Sequence, residues 1–265
     1  MQFGPLIGIL VALFCILVGN ALEGGHLGSM VGGPAALIVV GGTIGAVIVQ
    51  YPGSTLKAAV MAAGSTFKKP SVDAAKLVDE IVDYANRARR DGILALEKVA
   101  SSSSHPFLSK ALTMAIDGAD STSLRQTMEI AIGQHEEHGE DAAKVYEAMG
   151  GYSPTVGIIG AVLGLIHVMS NLSDINAVGH GIAAAFVATI YGVAVANILF
   201  LPFAGRIKLR VRDEVQGMEL MLTGVLAIQE GMNPKLVRER LSEFLHNHGP
   251  AKKGEGDALK EAQAT

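Results

Sequence analysis

Residues 154–203 read PTVGIIGAVLGLIHVMSNLSDINAVGHGIAAAFVATIYGVAVANILFLPF, and Asp174 is their only charged side chain. Two apolar runs, 154–172 and 182–203, flank a short polar hairpin. Each is close to the ~20 residues that a helix needs to cross ~30 Å of hydrocarbon. The N-terminus repeats the pattern, with runs at 3–20 and 31–50 and Glu23 as the only charge before Lys57. The chain is 265 residues long, 49% hydrophobic and only 17% charged. A soluble domain carries about a quarter charged residues. These features describe a membrane protein and exclude a secreted domain, a fibrous protein and a disordered chain. The first run has no basic segment before it and further spans follow, so it does not read as a signal peptide.

Topology follows from the basic residues. All 21 Lys and Arg fall within 57–144 or 206–260, and the connections 21–30 and 173–181 hold none. Basic loops stay cytoplasmic. Both termini and the region 51–153 are therefore expected in the cytoplasm, with two short hairpins facing outward. The expected fold is an all-α membrane protein with four transmembrane helices. A large helical cytoplasmic region lies between helices 2 and 3, and helix 4 extends into the cytoplasm. The segments are 1–50 (spans 1 and 2), 51–153 (cytoplasmic helical domain), 154–203 (spans 3 and 4), 204–248 (helical extension) and 249–265 (disordered tail). A net charge of −4 is too mild to imply a nucleic-acid partner. Cys15 is the only cysteine, which excludes an intrachain disulfide and a cysteine metal site.

In the cytoplasmic region, 71–100 is expected to be helical, with Ser71 as N-cap and Val78, Ile81, Ala85 and Ala88 at helical spacing. SSSSHP at 101–106 breaks it, and further helices are expected at 106–117 and 122–149. Asp83–Arg87 and Arg87–Asp91 are helix-surface pairs at i,i+4. Arg90 and Glu97 share a stripe only if the helix continues through Gly92. Gly231, Asn233 and Pro234 end the extension of helix 4, and a short helix 234–246 follows.

Within the spans the polar side chains are few: Thr43, Thr155, His167, Thr189, Tyr191 and Asn197 are the main ones. None is an acid, and a coupled proton carrier needs a titratable group at membrane depth. His167 can titrate, but a lone helix histidine is more often a packing residue. If the chain moves ions, a partner must supply the carboxylate. Thr43 fits a hydroxyl bonded to its own backbone at i−4. Thr189, with Tyr191 and Gly192 beside it, fits either that role or the wall of a wet path. Gly41 with Gly45, and Gly160 with Gly164, allow close helix packing. Pro154 reads as the first turn of the third span, where proline is tolerated. Pro202, inside a continuing helix, frees a carbonyl and bends the chain there.

Several stretches resemble the MotA-type stator subunits of the bacterial flagellar motor: 153–172, SPTVGIIGAVLGLIHVMSNL; 181–208, GIAAAFVATIYGVAVANILFLPFAGRIK; 41–52, GGTIGAVIVQYP; and 230–245, EGMNPKLVRERLSEFL. The resemblance spans about 1–248. The hairpin EGGHLG, 23–28, is similar to the shorter MotA or MotC form. The resemblance implies five such chains in the inner membrane around two MotB-type single-span proteins, each bringing a membrane aspartate. It implies no cofactor, no resident metal and no enzymatic reaction. Ion flow would turn the ring, which drives the rotor through its FliG protein.

By resemblance, Thr189 is the pathway threonine near the partner aspartate and Phe186 a wall residue, with Ala161, Tyr191 and Thr155 alongside. Pro154 and Pro202 match the prolines of conformational coupling. Arg89, Arg90 and Glu97 in ARRDGILALE match the rotor contact, which on the residues alone reads as a solvated face. Sodium-driven members carry a threonine where Ala161 stands, so Ala161 implies protons. Two alternatives remain at the level of sequence. One is a TolQ/ExbB-like subunit energising an envelope-spanning partner, and the other is a structural membrane scaffold without ion flux.

Overall fold

A computed structural model describes residues 4–68, 73–103, 105–170 and 172–246. Every element among them is helical. They fall into two compact units, the described residues within 1–69 and 136–211 and those within 70–135 and 212–265.

Among the described residues four helices are long and apolar enough to cross a membrane, and their apolar spans lie in the first unit. The first span is α1, Gly4–Leu22, in which no residue is buried within the chain. A helix that is apolar on every side belongs in hydrocarbon, where the backbone must satisfy its own hydrogen bonds. The second span, Gly33–Gln50, joins α2 (Gly33–Ala36) to α3 (Gly42–Gln50) through a π turn at Leu37–Gly41. Inside it Thr43 is fully buried and its hydroxyl donates to the Val39 carbonyl at 2.6 Å. This is the local satisfaction expected of it. α4, Gly53–Ser65, follows directly, a helix that the sequence pattern does not single out.

α8 runs unbroken from Ser121 to Ser170, so Pro154 lies inside a helix and not at its first turn. The helix expected at 122–149, leading into the third span, is continuous with it in sequence and hydrogen bonding. The fourth span is α9 (Ile175–Val195), a π turn at Ala196–Phe200, and then α10 (Leu201–Gln229). Pro202 cannot donate to Ile198, and the wide π turn ending two residues earlier absorbs that lost bond. The expected bend point is therefore a specific backbone feature.

In the second unit α5, Ala74–Asp91, starts at Asp73, whose carboxylate accepts from the Lys76 N–H. Ser71, the expected cap, lies outside the described residues. Leu77, Val78, Ile81, Val82 and Ala85 form its buried face. α5 stops at Gly92, which has φ +82°, a region glycine enters readily. The expected single helix over 71–100 is thus three pieces: α5, a 3₁₀ turn at Ile93–Leu96, and α6 at Glu97–Ser102. α7 spans Pro106–Ile116. α11, Pro234–His246, packs on α5 through the fully buried Val237 and Leu241, and Arg238 pairs with Asp79 at 2.7 Å. Gly224 of α10 gives Ile81 its seat, since a Cβ there would lie 2.6 Å from Ile81 Cγ2. The expected tail, 249–265, lies outside the described residues.

Candidate functional site

The third and fourth spans meet along a seam of small residues. Ser153, Gly157, Gly160 and Gly164 on α8 recur at helical spacing, as do Gly181, Ala185, Ala188 and Gly192 on α9. The closest point is backbone on backbone. A Cβ on Gly192 would sit 2.6 Å from the Ser153 carbonyl oxygen, and one on Gly157 would sit 2.9 Å from that of Ala188. The buried Ser153 hydroxyl donates to the Gly192 carbonyl at 3.0 Å. Gly160 and Gly164 therefore pack as their spacing predicts. Within the chain Gly41 and Gly45 make no such contact: a Cβ on Gly41 would meet only Leu37, at 3.9 Å, and one on Gly45 nothing. Gly42, one residue along, takes Val156 instead, at 2.8 Å. Gly157 and Gly192, where backbone meets backbone most closely, are not singled out by the sequence reading. Their signal was the heptad-like recurrence of small residues facing each other on two spans.

The seam decides which face of α9 stays open. With Ala185, Ala188 and Gly192 turned inward, Ile182, Phe186, Ile190 and Val193 form an exposed apolar stripe, and Phe186 is 68% exposed. Thr189, three residues after Phe186, lies half-buried at the border of stripe and seam. Its hydroxyl donates to the Ala185 carbonyl at 3.4 Å, a long bond beside the 2.6 Å of Thr43. Thr189 and Phe186 therefore lie on neighbouring positions of one side of α9.

Tyr191 points elsewhere. Its hydroxyl donates to the Met30 carbonyl at 2.7 Å and accepts from the Gly32 N–H at 3.1 Å. It pins the entry of the second span to the fourth. Ala161 is half-buried next to Gly160, and Thr155 is exposed, its hydroxyl donating to Tyr152 O at 2.8 Å. The two prolines are linked through their neighbours. Leu201, which precedes Pro202, covers Gly150, where a Cβ would lie 2.5 Å from it. Gly150 is the residue whose carbonyl Pro154 leaves without a helical donor.

Arg89, Arg90 and Glu97 are exposed in the second unit, around the Gly92 break. Both arginines close the last turn of α5 and Glu97 opens α6, each at the helix end whose dipole favours it. Because α5 ends at Gly92, Arg90 and Glu97 do not lie on one helical stripe. Among the described residues Asp83–Arg87 forms, at 2.7 Å, but Arg87–Asp91 does not. Leu94, 68% exposed, stands between the charged flanks. Elsewhere in this unit His135 Nε2 lies 3.0 Å from the Glu214 carboxylate, which raises the imidazole above its usual value, while burial lowers His105. Among the described residues no three His, Cys, Asp or Glu side chains gather to hold a metal ion.

Residues 99–220 match the MotA/TolQ/ExbB proton channel family, and residues 6–90 match the Motility protein A N-terminal family. Motility protein A of Bacillus subtilis is 34% identical over 99% of this chain and 95% of its own length. A solved structure of C. jejuni MotAB superposes with a TM-score of 0.90 at 31% identity, covering 94% of this chain and 98% of that one. The flagellar MotAB stator complex from Bacillus subtilis superposes at 0.86 and 34% identity, covering 97% and 98%.

Proposed function

From the fact that the chain belongs to the MotA/TolQ/ExbB proton channel family, we propose that it is the ion-channel subunit of a flagellar stator. It works with a MotB-type partner, as the MotAB complexes of its structural neighbours do. The match of residues 6–90 to the Motility protein A N-terminal family favours this reading over a TolQ/ExbB-like subunit. The relatives are motor proteins, and the reading involves no enzymatic step. The chain sits in the bacterial inner membrane with its basic segments and both termini in the cytoplasm. Five copies surround two single-span partners.

One observation carries the mechanism. The four spans contain no Asp, Glu, Lys or Arg, yet α9 presents an open apolar stripe with a hydroxyl at its edge. Such a surface conducts only when another chain lays an acid against it. Phe186 closes the path sideways, and Thr189 passes or orients the proton beside the partner's carboxylate. The long Thr189–Ala185 bond leaves the hydroxyl able to turn toward that acid. Pro154 and Pro202, joined through Gly150 and Leu201, relay the change along α8 and α10. Arg89, Arg90 and Glu97 meet the rotor protein FliG.

Thr189→Val removes the hydroxyl and keeps the shape. The expected result is a normally assembled complex and cells that do not swim, with Thr189→Ser retaining motility. Wild-type swimming speed in Thr189→Val would refute the path.

A further inference from the structure

Four titratable side chains converge in the second unit: Glu80 on α5, His105 at the start of α7, His135 on α8 and Glu214 on α10. None of them has a part in the ion path or in the charged tip at Gly92.

The chain fixes His105 first. Pro106, in the first turn of α7, keeps it extended at φ −109° and ψ 112°. Its N–H donates to Ser103 Oγ at 3.4 Å, and the Ser109 hydroxyl of α7 donates to the Ala100 carbonyl of α6 at 2.7 Å. The imidazole is thus held at the joint of α6 and α7. Its Nδ1 is buried and, among the described residues, has no hydrogen-bond partner. In the neutral ring that atom can be the bare acceptor; in the protonated ring it would be a donor, on a charged group, with nothing to receive it. Burial accordingly holds His105 below the ordinary histidine value. The nearby His135 pushes the same way, and Glu214 and Glu80 oppose.

His135 stands in the opposite situation. Its Nε2 lies 3.0 Å from the Glu214 carboxylate, which favours the charged ring by more than partial burial disfavours it. On α8 the next titratable groups are Glu136, Glu137 and His138, and on α10 Arg210, Arg212 and Asp213 precede Glu214. Glu80 accepts from the Tyr84 hydroxyl. The pair joins α8 to α10, the two helices that also carry the third and fourth spans.

We propose that this cluster is a pH-responsive clamp: a proton held between His135 and Glu214 tightens α8 on α10, and a second proton, at His105, loosens the joint of α6 and α7. The raised His135 gives stability that is complete below about pH 6.5 and is lost as pH rises through its folded value. With His105 lowered, the fold keeps its full stability above about pH 6.5 and loses it as pH falls through the lowered value. The second unit is therefore most stable near the ordinary histidine value and weaker on both sides. The inference needs only the geometry of this unit and not motor function, so the two readings fail separately.

The test uses the full-length protein purified in detergent in its native assembly. Deuterium exchange at histidine C2, read by mass spectrometry, follows each ring between about pH 5 and 8, where histidine titrates. His135 is expected above the ordinary value and His105 below it. Glu214→Gln should lower His135, which loses its carboxylate, and His135→Gln should raise His105, which loses a like charge. The apparent Tm of the wild type should peak near about pH 6.5, and His135→Gln should remove its fall on the alkaline side while keeping the acid one. Equal, ordinary titration of both rings in the wild type overturns the cluster and requires no variant to fold. A His105 value that His135→Gln does not move overturns the coupling, and an alkaline fall in Tm that survives in His135→Gln overturns the clamp.

Discussion

Gly192 shows how a single residue sets the site. The atoms that a Cβ there would strike are the Ser153 carbonyl oxygen at 2.6 Å and Gly157 Cα at 3.1 Å. Both belong to backbone and cannot swing away as a side chain would. In lipid, such close approach replaces the hydrophobic drive that helices have in water. Overpacking a filled contact costs about 1–3 kcal/mol. Gly192→Leu is therefore expected to lower the thermal stability of the purified complex, or its yield, measurably. Gly45→Ala, in open space, should change neither. Equal stability of the two variants would mean that the seam does not hold the spans. Thr189 lies three residues before Gly192, so its place at the edge of the open stripe follows from where the glycine docks. The chemistry of Thr189 could be weighed from its residue type, but its exposure could not, because that depends on which side of α9 is taken by α8.

At the scale of elements, the break at Gly92 matters most. A helix carried through it would place Arg90 and Glu97 on one flank. Instead, positive φ at Gly92 and the fully buried Leu96 fold 92–97 into a short turn. Arg89, Arg90 and Glu97 then frame an exposed tip with Leu94 between them. Among the described residues the three charges carry no ion pair within the chain, so on the proposed rotor contact none must be broken first. Complementary charges at such a contact set register and partner choice more than affinity. Arg89→Glu or Glu97→Lys is expected to reduce torque or stator recruitment, read by tethered-cell rotation, with partial rescue by an opposite charge on the rotor. Unchanged torque in both single variants would return the tip to an ordinary solvated surface. The helix pattern of 74–91 was plain from its apolar spacing. The turn after it was not, because Gly92 within a helical pattern is compatible with either continuation or arrest.

For the whole molecule, the distribution of charge is the governing fact. Four apolar spans without an acid separate two groups of basic residues, and on the proposed function the ion acceptor has to arrive with another chain. One charge crossing 100 mV releases about 2.3 kcal/mol. Motion driven by so little per ion has to use elements that shift without refolding. The continuous helices α8 and α10, each with a proline at a point of tight contact, fit that requirement. Ala161 places no hydroxyl beside the seam that could replace the hydration oxygens of a sodium ion. Swimming is accordingly expected to collapse with a protonophore and to persist without sodium. Persistence with the protonophore and arrest on sodium removal would reverse the assignment of the ion.

The amino-acid order by itself determined the number of apolar spans, the clustering of basic residues outside them and the absence of an acid within them. Each of these depends on composition within a window, which hydrocarbon reads one segment at a time. It also carried the motifs behind the family resemblance that the comparisons bear out. Tertiary structure alone decided that Gly157 and Gly192 are the closest approach, that Tyr191 serves the second span, that Pro154 lies within a continuous helix and that His105, His135 and Glu214 gather in one cluster. Those facts depend on which face of one helix meets which face of another, a choice made by atoms that are distant in the chain.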